Sequence, residues 1–277
     1  MNDYNNLHLH WKKSQKEFNR NLELLKQKLH TEPIHDIRVA AKKLRAFWDL
    51  YILLKKDPEP EYGMSKTKFL FDVLGRRRDV EICLALTAAF EKDAKGSCKE
   101  WNQYLQSVLK ITGAWVNKEI HNYQKKELAQ IAFLLKQDNS LGNPDQFSND
   151  LTAIINAQLE ETKKHLRQPH LVRKCLKKIY YWISLFPDEN TQESWYPSEL
   201  HDLLDDLGNW QDQTILAIRI KHFRKDYLPK SFEEYRLLKD FENKTNEHKK
   251  LLLKTANSKI RRWMQKVLVP GIKKSEE

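Results

Sequence analysis

A basic pattern that begins with histidine occurs twice in the chain, and no other feature of the sequence constrains the fold as strongly. The first copy begins at His35 and the second at His170. In both copies an arginine follows the histidine after three positions, and a pair of lysines follows after seven and eight. The apolar residues between them also match in order, which indicates an internal duplication. The basic residues are His35, Arg38, Lys42, Lys43 and Arg45 in the first copy, and His170, Arg173, Lys174, Lys177 and Lys178 in the second.

Helical periodicity gives each copy two different faces. At about 100° per residue, the basic side chains from His35 to Arg45, apart from Lys43, fall within about 80° of one another. The apolar residues occupy about 120° on the opposite side. Charges on an amphipathic helix usually form a solvated face, but two copies with matching geometry favour a ligand. We therefore predict two helices, each with a packed face and a basic stripe.

Each of these helices is followed by a second repeated motif, Leu-Gly-x-x-x-Asp. It spans residues 74–79 in the first half and 207–212 in the second. Its aspartates, Asp79 and Asp212, are single carboxylates, and acid–base catalysis needs a reacting partner positioned beside such a group. We expect them instead to accept hydrogen bonds from the basic stripes or from a helix end, and so to fix side-chain geometry.

The two motifs together resemble the CHAD family, whose name refers to conserved histidines in an α-helical domain. The pattern His-x-x-Arg-Val-x-x-Lys-Lys-Leu-Arg occupies 35–45, and Leu-Gly-x-x-Arg-Asp occupies 74–79. The second-half copies are more degenerate. Tyr180 stands where the family usually has arginine, and Gln211 replaces the arginine before Asp212. The resemblance implies two four-helix bundles in tandem that bind inorganic polyphosphate.

Composition and periodicity independently favour an all-helical protein. The chain has 277 residues, of which 40% are hydrophobic and 31% charged, and only 7 Gly and 9 Pro interrupt it. No segment shows the alternation of a strand, so we predict an all-α fold. The resemblance to the CHAD family makes this prediction more specific. It implies two tandem four-helix bundles, related by a pseudo-twofold axis, that form one compact unit. The turn-forming segment 138–144 predicts the boundary, with the repeats at 1–140 and 141–277.

Apolar spacing and turn signals predict eight helices. A bend is expected near Gly75, and a kink is possible at Gly113. Pro187 through Pro197 is expected to connect the sixth and seventh helices. The predicted helices span about 5–29, 31–55, 62–92, 98–137, 147–166, 168–186, 198–225 and 230–269.

The two basic stripes are expected to face each other and to line one groove. Arginine binds phosphate through paired hydrogen bonds and lysine supplies a compact charge, so both suit a linear polyphosphate. The site residues are predicted to be the ten basic residues of the two copies. Tyr180 predicts that the second repeat contributes less than the first. The rim of the groove is predicted to include Arg76, Arg77, Lys254, Arg261 and Arg262.

The roles of His35 and His170 stay open, between phosphate hydrogen bonding, metal binding and support of the fold. Neither histidine lies in a paired metal-binding motif, and the cysteines Cys83, Cys98 and Cys175 have no metal-ligand spacing. We therefore expect no metal and no cofactor. The cysteines are expected to be reduced thiols, mostly buried, in a cytoplasmic protein.

The net charge of +11 and the pI of about 9.3 favour anionic partners. No Walker A loop, H-E-x-x-H or G-x-S-x-G motif occurs, so a binder is expected and not an enzyme. Two alternatives stay open: a helical nucleic-acid-binding protein, and, less favoured, an enzyme that hydrolyses polyphosphate or triphosphate. No signal sequence or membrane span is expected. The expected partner is inorganic polyphosphate, and the protein is expected to associate with polyphosphate or storage granules.

Overall fold

The computed structural model describes residues 6–55, 63–94, 96–138, 144–186 and 188–268, and all regular secondary structure in these ranges is helical. The all-α prediction is confirmed. No helix within these ranges is long and apolar enough to cross a membrane. The helices are α1 (Asn6–Gln27), α2 (Thr31–Lys55), α3 (Ser65–Ala94), α4 (Lys99–Asn122), α5 (Lys126–Gln137), α6 (Pro144–Lys164), α7 (Pro169–Ile183), α8 (Glu189–Glu193), α9 (Pro197–Asp226) and α10 (Glu233–Leu268).

The order of the helices follows the duplication in the sequence. The basic motifs lie on α2 and α7, and the Leu-Gly motifs lie on α3 and α9, which are 30 residues long each. The flanking helices α1 and α6 then correspond, as do the long helices α4 and α10.

The single helix predicted over 98–137 is wrong. The chain leaves helical geometry after Asn122, because Tyr123 adopts an extended backbone with φ −69° and ψ 123°. Gly113, where a kink was expected, lies inside α4 without interrupting it. The break lets the chain turn and form α5, which brings Glu127 to the start of α3.

The short helix α8 lies inside the segment predicted to be a connection. Asp188 caps it by accepting a hydrogen bond from the Thr191 N–H at 2.7 Å. The described residues therefore contain ten helices, where eight were predicted. The boundary between positions 140 and 141 lies outside the described residues, so the division into 1–140 and 141–277 stays a prediction.

The buried apolar residues form two clusters, and each cluster takes side chains from both repeats. The larger one joins α1, α2 and α5 to α6 and α7, together with parts of the long helices. The smaller one joins the C-terminal halves of α3 and α9 to the N-terminal halves of α4 and α10. Within the larger cluster the buried Trp182 indole N–H donates to the Ala46 carbonyl at 2.7 Å, which links α7 to α2. The two repeats therefore share their cores.

Carboxylates from distant helices cap α3 and α4. Glu127 on α5 accepts hydrogen bonds from the Lys66 and Thr67 N–H groups at 3.0 and 2.9 Å. Glu234 on α10 accepts bonds from the Glu100 and Trp101 N–H groups, both at 2.9 Å. The first N–H groups of a helix lack partners within the helix, and negative charge there is favourable. These caps fix the ends of the long helices to other parts of the fold.

We expect Glu234→Ala to lower the free energy of unfolding by about 1–2 kcal/mol, because it leaves two N–H groups at the start of α4 without their acceptor. Glu233→Ala is the matched control, because Glu233 is the residue before Glu234 and its side chain is exposed and accepts no capping hydrogen bond among the described residues. Urea denaturation of both variants measures the difference. Equal losses in the two variants would contradict a capping role for Glu234.

Candidate functional site

Cations from both basic motifs meet where α2 approaches α7. Burial, together with the charges of Lys177, Arg38 and Arg173, lowers the pKa of Lys42 to about 6, and Asp212 opposes this shift. Burial and Arg173 likewise lower the pKa of Lys177 to about 8. We call Arg38, Lys42, Arg173 and Lys177 the basic cluster. All four side chains are half-buried.

Phe71 on α3 supports the first repeat's part of the basic cluster. The Arg38 guanidinium donates to the Phe71 carbonyl at 2.6 Å, and its Cζ lies 4.2 Å from the centroid of the Phe71 ring. Lys42 and Arg45 also lie near this ring, at 5.8 and 5.7 Å from its centroid. Cations are attracted to the face of an aromatic ring, so Phe71 stabilises three charges of the stripe.

The glycine of each Leu-Gly motif lies beside the arginine of the matching basic motif. A Cβ at Gly75 would lie 3.2 Å from the Arg38 Cζ and would overlap its Nη1, so any larger residue there would require this guanidinium to shift. At Gly208 the nearest atom is the Arg173 Nη2, at an ordinary 3.5 Å. The Arg173 Nε is buried and has no hydrogen-bond partner among the described residues. The second arginine therefore fits less tightly.

Asp79 and Asp212 approach the same place from α3 and α9. Burial raises the pKa of both carboxyls above the ordinary value, although Arg38 opposes this at Asp79 and Arg173 opposes it at Asp212. The charge of Asp79 also raises the pKa of Asp212, which shows that the two are close. Neither carboxylate accepts a hydrogen bond within the described part of the chain. Their interaction with the arginines is electrostatic, and the predicted orienting hydrogen bonds are not formed.

Two arginines near the basic cluster were missed by the sequence analysis. Arg78 influences the pKa of His35 and of both aspartates, and Arg219 on α9 influences that of Asp79. The signal for Arg78 was present, because it is the arginine of the Leu-Gly-x-x-Arg-Asp motif. Arg219 follows Asp212 by seven residues, which is two helical turns along the same face of α9.

The neighbouring Arg76 and Arg77 interact with α4 instead. The Arg76 Cζ lies 4.8 Å from the Trp115 ring centroid. Arg77 donates from Nη1 to the Leu109 carbonyl at 3.1 Å and pairs through Nε with Glu81 at 3.1 Å. The structure therefore does not bring them into the basic cluster, and their part in binding stays a prediction.

The second lysine of each predicted pair, Lys43 or Lys178, forms a salt bridge with an acidic residue. Lys43 pairs with Glu17 on α1 at 3.6 Å, and Lys178 pairs with Asp49 on α2 at 2.6 Å. Adjacent residues on a helix point about 100° apart, which separates Lys43 from Lys42. Lys174 is exposed at the surface of α7.

The two histidines lie in different surroundings. His35 is exposed, but partial loss of hydration and the charges of Arg78 and Lys42 lower its pKa. The exposed His170 forms a 3.1 Å hydrogen bond between Nδ1 and the Gln211 Oε1. No group of three or more histidine, cysteine or acidic residues within the described ranges could hold a metal ion.

The predicted rim residues on α10 line a depression of their own. Lys254, Arg261 and Arg262 line an open depression together with other residues of α10 alone. The basic cluster does not contribute to its lining.

The fold and the site together define an all-helical protein whose two repeats share a core and bring their cations to one place. The sequence model of the CHAD domain matches residues 11–221, and the chain belongs to this family. Its structure is similar to the crystal structure of the CHAD domain from the plant Ricinus communis, with a TM-score of 0.71 and 15% identity. The similarity covers 93% of this chain and 91% of the plant chain. A comparison with curated proteins gave no match.

The contacts of the two glycines predict opposite effects of one substitution. Gly75→Ala displaces the Arg38 guanidinium and should lower the free energy of unfolding. Gly208→Ala meets no close atom and should raise it by about 0.5–1 kcal/mol, because alanine favours the middle of a helix. Urea denaturation tests the pair, and a gain of stability in Gly75→Ala would contradict the tight fit of Arg38.

Proposed function

We propose that this protein binds inorganic polyphosphate without cleaving it, at the basic cluster and its neighbouring cations. The observation that supports this most is that α2 contacts α7 and that the charges of Lys177 and Arg173 act on Lys42, since this joins cations of both repeats. Membership of the CHAD family supports the same ligand, because polyphosphate binding is the association known for that family. A site of this kind suits a cytoplasmic protein that associates with polyphosphate or storage granules.

The chemistry of the cluster suits a narrow chain of phosphates. Arginine offers paired donors to phosphate oxygens, and lysine offers a compact charge. All four cations are half-buried between helices, which favours a thin, unbranched polymer over a wide one. In the free protein the neighbouring like charges lower the pKa of Lys42, and a bound polyanion would favour its charged form.

We favour binding without cleavage over enzymatic hydrolysis because of the surroundings of the two aspartates. Asp79 and Asp212 are close to each other and to Arg38 and Arg173, which offset their charge. An acid or base in catalysis needs a reacting group positioned beside it, and phosphate cleavage needs charge stabilisation at the transition state. We assign these carboxylates to balancing the cluster's charge.

Charge reversal tests the shared site. Lys42→Glu and Lys177→Glu should each weaken the binding of long-chain polyphosphate by at least about tenfold, because a reversed charge repels phosphate. Fluorescence anisotropy with labelled polyphosphate measures the affinity, and circular dichroism checks helical content. Lys16→Glu on α1 is the control, because Lys16 is exposed and the substitution makes the same change of charge. If Lys177→Glu binds like the unchanged protein while Lys42→Glu is impaired, the two repeats do not share one site.

The lowered pKa of Lys42 predicts how affinity depends on pH. At about 6, this pKa leaves most Lys42 side chains neutral in the free protein at pH 7. A bound polyanion favours the charged amine, so binding takes up a proton. The affinity should therefore increase as the pH falls from 8 to 6, by up to about tenfold per pH unit, and level off below 6.

Titrations of polyphosphate at several pH values, at one salt concentration, measure this slope. In Lys42→Gln the amine is absent, and the slope between pH 6 and 7.5 should flatten. The comparison separates Lys42 from His35, which is retained in both proteins. An equally steep slope in Lys42→Gln would show that another group takes up the proton.

A further inference from the structure

One face of α10 presents cations that have no acidic partner. The α10 basic face consists of Lys250, Lys254, Arg261 and Arg262, all of them exposed. From Lys250 to Arg261 it extends about 17 Å along the helix. Within the described residues, none of the four forms a salt bridge. The family model ends at residue 221, so this face lies outside the matched region.

Two lysines of the same helix are paired with acidic residues of α9. Lys259 forms a salt bridge with Asp206 at 2.5 Å, and Lys266 forms one with Glu199 at 2.5 Å. Both partners belong to α9, against which α10 packs. The lysines near α9 thus have partners, whereas the α10 basic face points elsewhere. This separation argues against a random distribution of charge along the helix.

The core fixes the direction in which the α10 basic face points. Ala256, Ile260 and Trp263 are buried on the opposite side of the helix. The Trp263 indole N–H donates to the Trp195 carbonyl at 3.0 Å, which holds the rotation of α10. The α10 basic face therefore keeps a fixed direction, and a ligand can approach it from solvent.

The residues between the cations suit a phosphate backbone. Asn257, Ser258 and Gln265 line the same depression and offer neutral hydrogen-bond donors. No acidic residue occurs between positions 250 and 265. Trp263, the only aromatic residue in this stretch, is buried and cannot stack on a base. Contacts of this kind neutralise phosphates and carry no base sequence information.

We propose that the α10 basic face is a second anion-binding surface, separate from the basic cluster, and that it fits the phosphate backbone of duplex nucleic acid. The half-buried basic cluster admits a narrow chain, whereas the α10 basic face is an open helix surface that a wide polymer can reach. The same protein would then bind thin and wide polyanions at different places. Binding to the duplex should be independent of sequence and strongly dependent on salt.

Neutral substitutions on α10 test this surface. Lys254→Gln together with Arg261→Gln should weaken the binding of a duplex of about 20 base pairs by about tenfold or more at fixed salt. The slope of log affinity against log salt concentration should fall by about 2, one for each lost phosphate contact. Lys12→Gln together with Lys16→Gln, both exposed on α1, gives the matched control. Fluorescence anisotropy with labelled DNA measures both quantities on the full chain.

The same α10 variant is titrated in parallel with long-chain polyphosphate. Separate surfaces predict an unchanged polyphosphate affinity. A parallel loss of both affinities in the α10 variant would mean one common site and would overturn the proposal. Unchanged DNA binding by the α10 variant would also overturn it. The proposal fails as well if the unchanged protein binds anionic lipid vesicles and does not bind DNA. If the unchanged protein binds the duplex through α10 and ignores polyphosphate, the proposed function fails and this inference stands.

Discussion

The concentration of like charge between α2 and α7 is the constraint on which the rest of the structure depends. Four cations from two helices lie half-buried within reach of one another, and burial and repulsion lower the pKa of Lys42 to about 6. Such an arrangement is unfavourable in isolation, because each charge loses water and meets charges of its own sign. The ring of Phe71 and the carboxylates Asp79 and Asp212 offset part of this cost. The remainder must be offset by packing elsewhere.

The shared cores supply that packing. If each repeat closed around its own core, repulsion between the motif helices could separate them. Instead, buried side chains of both repeats interdigitate, and the Trp182 indole is hydrogen-bonded to the Ala46 carbonyl across the α2–α7 contact. At the far end, the side chain of Glu234 on α10 caps α4 and ties the two halves together again. The hydrophobic contacts are non-directional, whereas the capping hydrogen bonds fix the relative position of the helices.

The sequence predicted the helices and the duplicated stripes well, because periodicity reports which residues share a face. The same rotation of 100° per residue could have separated Lys43 from Lys42, and the structure shows that separation. Contacts between helices are harder to predict. The side chains of Arg76 and Arg77 reach α4 while Arg78 reaches the basic cluster, and only the placement of α4 decides this. The break at Tyr123 has the same origin, since it depends on where Glu127 can meet α3.

The two repeats treat their central arginine differently, and the sequence contains the reason. Phe71 stands four residues before Gly75, whereas Leu204 stands four residues before Gly208. The first arginine therefore has an aromatic face, a carbonyl and a close glycine, all of which restrict its guanidinium. Arg173 has no such ring, and its Nε lacks a partner among the described residues. Duplication thus gave two similar helices, of which the first surrounds its arginine with more contacts than the second.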